Sequence, residues 1–409
     1  MLPNEAESII LNLLQPLNNQ DDVEIVDLLA ASGRVLAKPV TSLLDFPHWD
    51  NSAMDGYAVR YKDVEGCSSK QPANLEIIEE IPAGHQPQLT VQPGQAARIY
   101  TGAVMPKGAD TVVMQEVTHR QENRVLIQAV PKPYEFVRHQ ASYCQAGSEL
   151  LPSGIMVSAA EMAILAAAQY NKPSVYRRVK VAILSTGDEL VTIDKTLKPG
   201  QIVDSNQYAL FSLVQQLGAE PLMLGIVPDE PESLKRAIAK AKADIIISSG
   251  GVSVGEYDYV EQILESLGGR IHIRAVAMKP GKPLTVATLN NSPSCLYFGL
   301  PGNPVSALVT FWRFVQPAIK KLSGLSNGWQ PVFLKAKTRQ QLRSDGKREN
   351  YIWGKISPVN GVYEFDIAGG NQASGNLINL AQTNAFAVLP IGTNVQQPGE
   401  EIQVLIIRD

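Results

Sequence analysis

Serine, glycine and carboxylate side chains lie close together in the stretch ADIIISSGGVSVGEYDY, residues 243–259. Gly250 and Gly251 allow a backbone with φ above zero, which brings N–H groups close to an anion. Glu256 and Asp258 follow at once, and carboxylate oxygens are suitable ligands for a hard cation. The spacing matches neither a Walker phosphate loop nor a dinucleotide-binding loop. Taken alone, the stretch favours a tight strand-to-helix turn about as much as an anion site beside a cation site.

Further acidic and basic side chains follow short apolar runs in the middle of the chain. Asp188 and Glu189 end one such run, and Asp229 ends the next. Lys279 and Lys282 flank a Pro-Gly pair ahead of a later run, and compact lysine charges suit a leaving phosphate. Two carboxylates about 4 Å apart repel by about 4 kcal/mol at an effective dielectric of 20, so an acidic cluster facing a polyphosphate needs Mg²⁺ or lysines. The alternative is that the acids cap helices and the lysines extend over a surface.

From residue 180 onward, strand-like runs alternate with glycine-rich loops and helical segments. This alternation predicts a parallel sheet with helices on both faces. Ligands bind beyond the carboxyl ends of such strands, so the acids and lysines are expected to lie at one crevice. Asn303 and Pro304 predict the start of a helix that runs to Leu322, because asparagine caps helices and proline favours the first turn.

The segments on either side of the α/β part predict smaller domains. Residues 57–137 contain short β-rich runs separated by Pro and Gly, and residues 329–409 have the same character. Ser158 and Glu161 match a capping box, which predicts that helix resumes there. The predicted fold class is a multidomain α/β fold, with residues 1–50 and 138–178 as an N-terminal helical and extended linker domain, 51–137 as an inserted β domain, 179–325 as the α/β domain and 326–409 as a C-terminal β domain.

The polar segment DNSAMDG, residues 50–56, lies between two extended runs. Its residue types are those of a turn. Taken by itself, Asp55 is best explained as an Asx turn that caps Gly56. A functional role for Asp55 needs support from elsewhere in the chain.

Composition excludes several classes of protein. The 409 residues are 44% apolar and 19% charged with a net charge of −4, which indicates neither a nucleic-acid footprint nor a polybasic membrane patch. Cys67, Cys144 and Cys295 show no zinc-ligand spacing and fit a reducing compartment. The N-terminus has acidic residues ahead of its apolar part, so we expect no signal peptide. We therefore expect a cytoplasmic protein with no nucleic-acid or membrane partner.

Seven motifs in one order connect these separate observations. They are DNSAMDGYAVR, RIYTGA, GADTVVMQE, STGDEL, ISSGGVSVGEYD, KPGKP and GLPGNPVSA. Together they resemble the molybdopterin molybdenumtransferase family, the MoeA-type proteins and the E-domain of gephyrin, over nearly the whole chain. The resemblance implies an elongated four-part protomer whose α/β domain is of the molybdopterin-binding type. It also implies a homodimer with the active site in a cleft near the dimer interface.

The resemblance further implies a reaction and its residues. Molybdate is inserted into the dithiolene of adenylyl-molybdopterin, and AMP leaves with the help of Mg²⁺. Carried across motif by motif, the catalytic positions are Asp55, Glu189, Asp229, Asp258, Lys279 and Lys282, of which Glu189, Asp229 and Asp258 are the metal ligands. The substrate-binding positions are Thr101, Arg138, Asp188, Ser249, Gly250, Gly251, Pro301, Pro304, Arg348 and Ser374. Transient contact with other cofactor-biosynthesis proteins is also compatible with the resemblance.

Two positions depart from the family pattern. Tyr143 stands where relatives have the last acid of Arg-x-x-Gly-Glu-Asp, and Trp353 stands where they commonly have a second arginine. Both changes concern substrate contacts or rate and leave the predicted fold unaffected.

Two other functions remain as alternatives. A binding or scaffolding protein on the same fold does not require acids and lysines at the strand ends. A free-standing pterin or nucleotide hydrolase does not require the DNSAMDGYA segment or the flanking β domains. Release of AMP distinguishes the enzyme from the scaffold.

Overall fold

The computed structural model describes residues 1–18, 20–250, 257–289, 295–370 and 372–408, and only the backbone of residues 257–259. The α-helices of this part are α1 (Pro3–Leu13), α2 (Tyr61–Val64), α3 (Ala159–Ala167), α4 (Asn206–Gln216), α5 (Pro231–Lys240), α6 (Tyr257–Ser266), α7 (Pro304–Thr310) and α8 (Gln316–Leu322). The first strands are β1 (Val23–Ile25), β2 (Val40–Thr41), β3 (Asn51–Ser52), β4 (Gly56–Val59), β5 (Ala73–Ile81), β6 (Gln95–Ile99), β7 (Thr111–Met114), β8 (Thr118–Gln121), β9 (Arg124–Ile127), β10 (Val137–Arg138), β11 (Glu149–Leu151) and β12 (Ser174–Tyr176). The later strands are β13 (Lys180–Thr186), β14 (Leu190–Val191), β15 (Ile202–Val203), β16 (Glu220–Val227), β17 (Ile245–Ser249), β18 (Arg270–Ala275), β19 (Met278–Lys279), β20 (Pro283–Leu289), β21 (Cys295–Leu300), β22 (Phe333–Thr338), β23 (Leu342–Arg343), β24 (Glu349–Val359), β25 (Val362–Ile367), β26 (Ala385–Leu389), β27 (Val395–Gln396) and β28 (Glu401–Ile406).

The chain forms two compact units. The first unit contains Met1–Lys38, Ser153–Met162 and Lys172–Asp409, and the second contains Pro39–Pro152 and Ala163–Asn171. This division does not resolve the four predicted domains, whose boundaries stay predictions. Among the described helices, none is long and apolar enough to cross a membrane.

A six-stranded sheet in the first unit has the order β16-β13-β17-β21-β20-β18. The first four strands are parallel, whereas β20 is antiparallel to both β21 and β18. The α/β fold class is thus confirmed, and β20 is an antiparallel exception in the predicted parallel sheet. Residues 290–294 alone separate β20 from β21, and parallel neighbours need a crossover of about a dozen residues.

Helices cover both faces of this sheet, as predicted. Val181 and Ile183 of β13 pack in the core that contains Leu210 of α4, whereas Leu184 packs in a second core with Ile238 of α5. Successive side chains of a strand point to opposite faces, so the same short apolar run contributes to both cores. Because helices cover both faces of the sheet, polar side chains reach a crevice at the ends of the strands.

The predicted helix from Pro304 to Leu322 is confirmed as α7 and α8 joined by a π-helical turn, Phe311–Val315. Pro304 is its first residue and Asn303 is its N-cap residue, as predicted, but the Asn303 side chain makes no cap hydrogen bond. The backbone N–H of Val305 instead donates to the Ser374 carbonyl oxygen at 3.1 Å. A carbonyl from the C-terminal β segment therefore replaces the cap and anchors Ser374 at the start of the helix.

The C-terminal segment is β-rich, as predicted. Its six-stranded sheet has the order β19-β24-β25-β22-β28-β26, and β26 also pairs with β24. Strand β19 runs parallel to the start of β24, which places Met278 opposite Glu349 and Lys279 opposite Asn350. This pairing brings residues 279–282 of the α/β segment, which contain Lys279 and Lys282, beside the C-terminal sheet.

The second unit contains the predicted all-β segment. Its sheet has the order β7-β4-β6-β5-β9-β8. Gly56 of β4 lies so close to β7 that a Cβ there would be 1.9 Å from the Val113 carbonyl oxygen. At the start of α3, the Ser158 N–H donates to Glu161 Oε2 at 2.9 Å, which is one of the two hydrogen bonds of the predicted capping box.

Candidate active site

A cavity of about 470 Å³ opens at the carboxyl ends of β13, β16, β17 and β21. Its acidic lining residues are Glu189, Asp204 and Asp229, and the described lining includes no lysine or arginine. We name it the acidic cavity. The predicted site residues that line it are Glu189, Asp229, Ser249, Gly250, Pro301 and Pro304.

Asp188 does not line the acidic cavity but supports it. Its Oδ1 accepts a hydrogen bond from the Asp229 N–H at 3.4 Å, so it joins the loops that follow β13 and β16. Asp188 is thus placed beside the predicted site in a positioning role. Asp229 is not the N-cap residue of α5, because Glu230 occupies that position.

A glycine is required at position 250 by a close backbone approach. Gly250 has φ of +95°, and a Cβ there would lie 2.2 Å from the Thr186 carbonyl oxygen. The strand ends of β13 and β17 therefore approach each other more closely than any side chain permits. Gly251 and the side chain of Asp258 lie outside the described residues.

Asn206, at the start of α4, connects three loops of the acidic cavity. Its Nδ2 donates to Ser249 Oγ at 2.6 Å and to the Gly302 carbonyl oxygen at 2.8 Å. The carbonyl can only accept, so this contact fixes which way the amide points. Asp204 Oδ1 in turn accepts the Asn206 N–H at 3.1 Å. Neither Asn206 nor Asp204 was predicted from the sequence, although an Asp-Ser-Asn run ahead of a helix is a signal that marks both.

A second cavity, of about 640 Å³, has the opposite character. It is lined by Lys279, Lys282, Arg343 and Arg348, and its described lining includes no carboxylate. We name it the basic cavity. Four predicted residues, Lys279, Lys282, Arg348 and Ser374, are brought together here, whereas Arg343 was missed because nothing in its sequence context marks it.

The two cavities adjoin each other. Pro283 lines both of them, while Pro304 and Ser306, at the start of α7, line the acidic and the basic cavity respectively. An extended ligand that carries both anionic groups and a metal-binding part can therefore contact carboxylates at one end and cations at the other.

One carboxylate at the edge of the basic cavity is already paired. Lys279 Nζ lies 3.4 Å from Asp345 Oδ2. The pKa of Asp345 is lowered, first by the backbone N–H of Lys347 and further by Lys279 and Arg348. Asp345 thus stays ionised and compensates part of the positive charge of Lys279.

Trp353, which stands where the resemblance implies a second arginine, is buried in the wall of the basic cavity. Its backbone is held by Gln372, whose Oε1 accepts the Trp353 N–H and whose Nε2 donates to the Trp353 carbonyl oxygen, each at 3.3 Å. Trp353 therefore gives the basic cavity an apolar wall in place of a positive charge. The cavity still has the four cations of Lys279, Lys282, Arg343 and Arg348.

Within the described residues, no three His, Cys, Asp or Glu side chains form a cluster that could hold a metal ion. Glu189 and Asp229 nevertheless share the acidic cavity. Mg²⁺ commonly takes one or two carboxylates, waters and phosphate oxygens, so these two residues fit such an ion. The assignment of Glu189, Asp229 and Asp258 as its ligands stays a prediction.

The second unit contains the remaining predicted residues. Asp55 Oδ1 accepts hydrogen bonds from both the N–H and the hydroxyl of Thr101, each at 2.8 Å. The carboxylate is thus bound by Thr101, and the interpretation of Asp55 as a cap for Gly56 is wrong. Arg138 lies in β10, where its register partner is Asn51 of β3.

Comparisons with known proteins agree with this architecture. The MoeA N-terminal region (domains I and II) matches residues 1–168, a probable molybdopterin binding domain matches residues 182–321, and the MoeA C-terminal region (domain IV) matches residues 335–407. A molybdopterin molybdenumtransferase from Nostoc sp. is 63% identical, over 98% of this chain and 92% of that protein.

The chain belongs to the molybdopterin molybdenumtransferase family. A second family member, from Haemophilus influenzae, is 35% identical over 96% of both chains. The solved structure of a molybdopterin biosynthesis MoeA protein from Pyrococcus horikoshii superposes with a TM-score of 0.83 at 28% identity and full coverage of both chains. The resemblance seen in the motifs, the transferase class and the role in molybdenum cofactor biosynthesis are confirmed.

The Asp55–Thr101 contact has a measurable electrostatic consequence. The pKa of Asp55 is lowered from 3.8, first by the Thr101 N–H and then by its hydroxyl. Ionised Asp55 contributes stability above pH 3.8, and that contribution is lost as the pH falls through the lowered pKa. Thr101→Val keeps the N–H but loses the hydroxyl, so we expect a smaller depression and an acid transition at higher pH.

A pH titration of the Asp55 carboxyl carbon by NMR, with urea melts on the acid side, measures this effect. Thr101→Ser keeps both donors and is the matched control, expected to behave as the wild type. An unchanged Asp55 pKa in Thr101→Val would contradict the assigned contact.

The segment that departs from the family pattern can be restored without harm to the fold. Tyr143 is 70% exposed, and Ala141 has φ of +61°, a left-handed conformation that favours glycine. Replacing Ala141-Ser142-Tyr143 by Gly-Glu-Asp is expected to leave the melting temperature unchanged or raise it, because glycine relieves about 1 kcal/mol of strain.

AMP release by the restored variant is expected to be equal to or faster than that of the wild type. Ala141→Gly alone separates the backbone effect from the added charge. A fall of several degrees in the melting temperature would show that Tyr143 is packed and that the segment has been misinterpreted.

Proposed function

We propose that the chain inserts molybdate into adenylyl-molybdopterin and releases AMP with the help of Mg²⁺. The observation that carries this proposal is that the acidic cavity, at the carboxyl ends of the sheet strands, adjoins the basic cavity. The proposed substrate is a polyanion with a phosphoanhydride bond to be cleaved. It needs a cation site and an anion site that one molecule can contact at the same time.

The basic cavity is suited to the anionic parts of this reaction. Lys279 at the end of β19 and Lys282 just before β20 are compact charges, and Arg348 presents a planar guanidinium from the residue before β24. Fixed cations stabilise charge that develops on a leaving phosphate, and they do so without reorganising at the moment of reaction. Ser374 supplies a hydroxyl in the same cavity.

The acidic cavity is suited to the cation. Glu189 and Asp229 would hold Mg²⁺, which supplies Lewis-acid polarisation of phosphate oxygens when bound. Ser249 and Gly250 line the cavity beside these acids at the end of β17, where the buried Ser249 hydroxyl donates to the Pro301 carbonyl oxygen at 3.4 Å and so joins the ends of β17 and β21. Asn206 keeps Ser249 in position.

We further propose that the protein acts in the cytoplasm as a homodimer, with transient contact with other cofactor-biosynthesis proteins. Support comes from the family resemblance and, for the compartment, from three free cysteines. Sedimentation velocity of the full chain measures the oligomeric state directly.

The deciding experiment incubates the chain with adenylyl-molybdopterin, molybdate and Mg²⁺ and follows AMP and active cofactor. We expect AMP release that depends on molybdate and Mg²⁺. A scaffolding protein on this fold releases no AMP, whereas a simple hydrolase releases AMP without forming active cofactor. Either result would overturn the proposal.

Asp258 is tested in the same assay. Asp258→Asn removes a charge while keeping the side-chain shape, so we expect AMP release to collapse and the melting temperature to stay unchanged or rise slightly. Excess Mg²⁺ is expected to restore part of the activity if Asp258 binds the metal. Full activity of the variant at limiting Mg²⁺ would remove Asp258 from the site.

A further inference from the structure

A third cavity of the first unit lies apart from the acidic and basic cavities. It measures about 470 Å³ and is lined by the carboxyl-terminal parts of α4 and α8, so we name it the α4–α8 cleft. It shares no lining residue with either of the other two. Val179 and Ala219, which precede β13 and β16, line it, whereas the acidic cavity lies at the other ends of these strands. The length of a seven-residue strand, roughly 20 Å, therefore separates the two.

Basic side chains line the α4–α8 cleft, and its described lining includes no carboxylate. The basic residues are Arg34, Arg177, Arg178, Lys320 and Arg408. Two of them are neutralised within the fold, since Arg34 pairs with Glu24, and Arg177 pairs with Asp22 and Asp244. Arg34 and Arg177 therefore have structural roles in the cleft and need no anionic ligand as a partner.

Arg178 and Arg408 differ because they donate to backbone carbonyls and, within the described chain, form no ion pair. Arg178 Nη1 donates to the Gly218 carbonyl oxygen at 2.6 Å, just beyond α4. Arg408 donates through Nη2 to the Leu380 and Ala381 carbonyl oxygens at 3.1 and 2.7 Å, and through Nε to the Thr383 carbonyl oxygen. Backbone carbonyls carry no formal charge, so both guanidinium groups keep their positive charge.

The rest of the cleft wall is mostly apolar. Trp312, Leu217 and Ile319 contribute large side chains, and the indole ring of Trp312 is half-buried. The Trp312 Nε1–H is shielded from solvent and has no acceptor among the described residues. Because this N–H is not accessible to solvent, the accessible part of the indole ring offers a ligand an apolar surface.

We propose that the α4–α8 cleft binds a small amphipathic anion, with a flat apolar body and a phosphate, sulfonate or carboxylate group. The volume lies in the range of small-molecule sites, which are mainly apolar with a few convergent polar groups. The anionic group lies at Arg178 and Arg408, and the apolar body packs on Trp312 and Leu217. This site is separate from the transferase site and does not depend on the proposed reaction.

The test uses the purified full chain and two matched probes. 8-Anilinonaphthalene-1-sulfonate carries a sulfonate on an aromatic body, and N-phenyl-1-naphthylamine is the same body without it. We expect saturable binding of one sulfonate probe per chain and at least tenfold weaker binding of the neutral probe. Arg178→Ala and Arg408→Ala are each expected to weaken the sulfonate probe about tenfold, whereas Arg178→Lys and Arg408→Lys retain the charge and lose less than threefold.

Arg236→Ala, an exposed arginine of α5 away from the cleft, is the matched control and is expected to change nothing. Among single Trp→Phe variants of the four tryptophans, Trp312→Phe is expected to lower energy transfer to the probe most. Melting curves identify any variant that fails to fold, and then the lysine variants decide. AMP release without probe is expected to stay at the wild-type rate in Arg178→Ala and Arg408→Ala.

Equal binding of the neutral probe, or sulfonate binding unaffected by both arginine variants, would overturn the proposal. Sulfonate binding that appears only at chain concentrations too low for self-association would show instead that a second copy of the chain covers the cleft.

Discussion

Lys279→Ala and Lys282→Ala are each expected to slow AMP release by a factor of roughly ten to a thousand, the scale of losing one preorganised electrostatic contact. Both lysines line the basic cavity, where no carboxylate lies among the described lining residues. Both lysine side chains are exposed before the substrate binds, and water weakens the interaction between charges. The expected loss of rate therefore depends on the substrate excluding water from the cavity. The measurement is kcat/KM for AMP release at several salt concentrations.

The ion pair of Lys279 allows a sharper form of this experiment. In Lys279→Ala, Asp345 loses its ion-pair partner at the edge of a cavity that receives an anion. Asp345→Asn in that background is therefore expected to recover part of the activity, and the coupling is obtained from the double-mutant cycle. Lys282→Arg keeps the charge and is expected to be less harmful than Lys282→Ala.

Lys355→Ala is the matched control for both lysines. Lys355 lies in β24 outside the cavity, and its Nζ donates to Gln382 Oε1 at 3.0 Å. We expect this variant to release AMP at the wild-type rate. Wild-type turnover in both Lys279→Ala and Lys282→Ala would show that the basic cavity is not where the phosphate is cleaved.

The local parts of the site were predictable from the sequence. The buried run before Ser249 predicted β17, and the glycine after it is confirmed as a position where the backbone approaches Thr186 too closely for any side chain. The alternation of strands, loops and helices predicted both the fold class and the end of the sheet at which the acids meet. Each of these inferences rests on residues that are near one another in the chain.

The parts that depend on long-range contacts were not predictable in this way. Asp55 and Thr101 are 46 residues apart, and only the folded second unit shows that the threonine, not a local turn, binds the carboxylate. The helix start at Pro304 took its cap from Ser374 rather than from the adjacent Asn303. The direction of β20 was set by the short connection to β21, a constraint that a strand pattern alone does not reveal.

The buried charge of Arg313 was also not predictable from the pattern of apolar residues. The run FWRFV, Phe311–Val315, is apolar except for Arg313, which is fully buried. Its guanidinium contacts Glu7 and also donates to Asn4 Oδ1 at 2.7 Å and to the Tyr351 hydroxyl at 3.1 Å. The arginine thereby connects α1, the π-helical turn and β24 through a polar network inside an apolar core.

Glu7→Ala is expected to lower the free energy of unfolding by about 3–5 kcal/mol, because it leaves Arg313 as an uncompensated buried charge. Arg313→Met with Glu7→Leu removes both charges, and we expect it to regain most of that loss, since replacing a buried pair by apolar residues is often neutral. Glu265→Ala, at an exposed position of α6, is the control and is expected to change stability by less than about 0.5 kcal/mol. Urea unfolding followed by circular dichroism measures all three variants. If Glu7→Ala proved as stable as the control, Glu7 would not be the counter-charge that keeps Arg313 in the core.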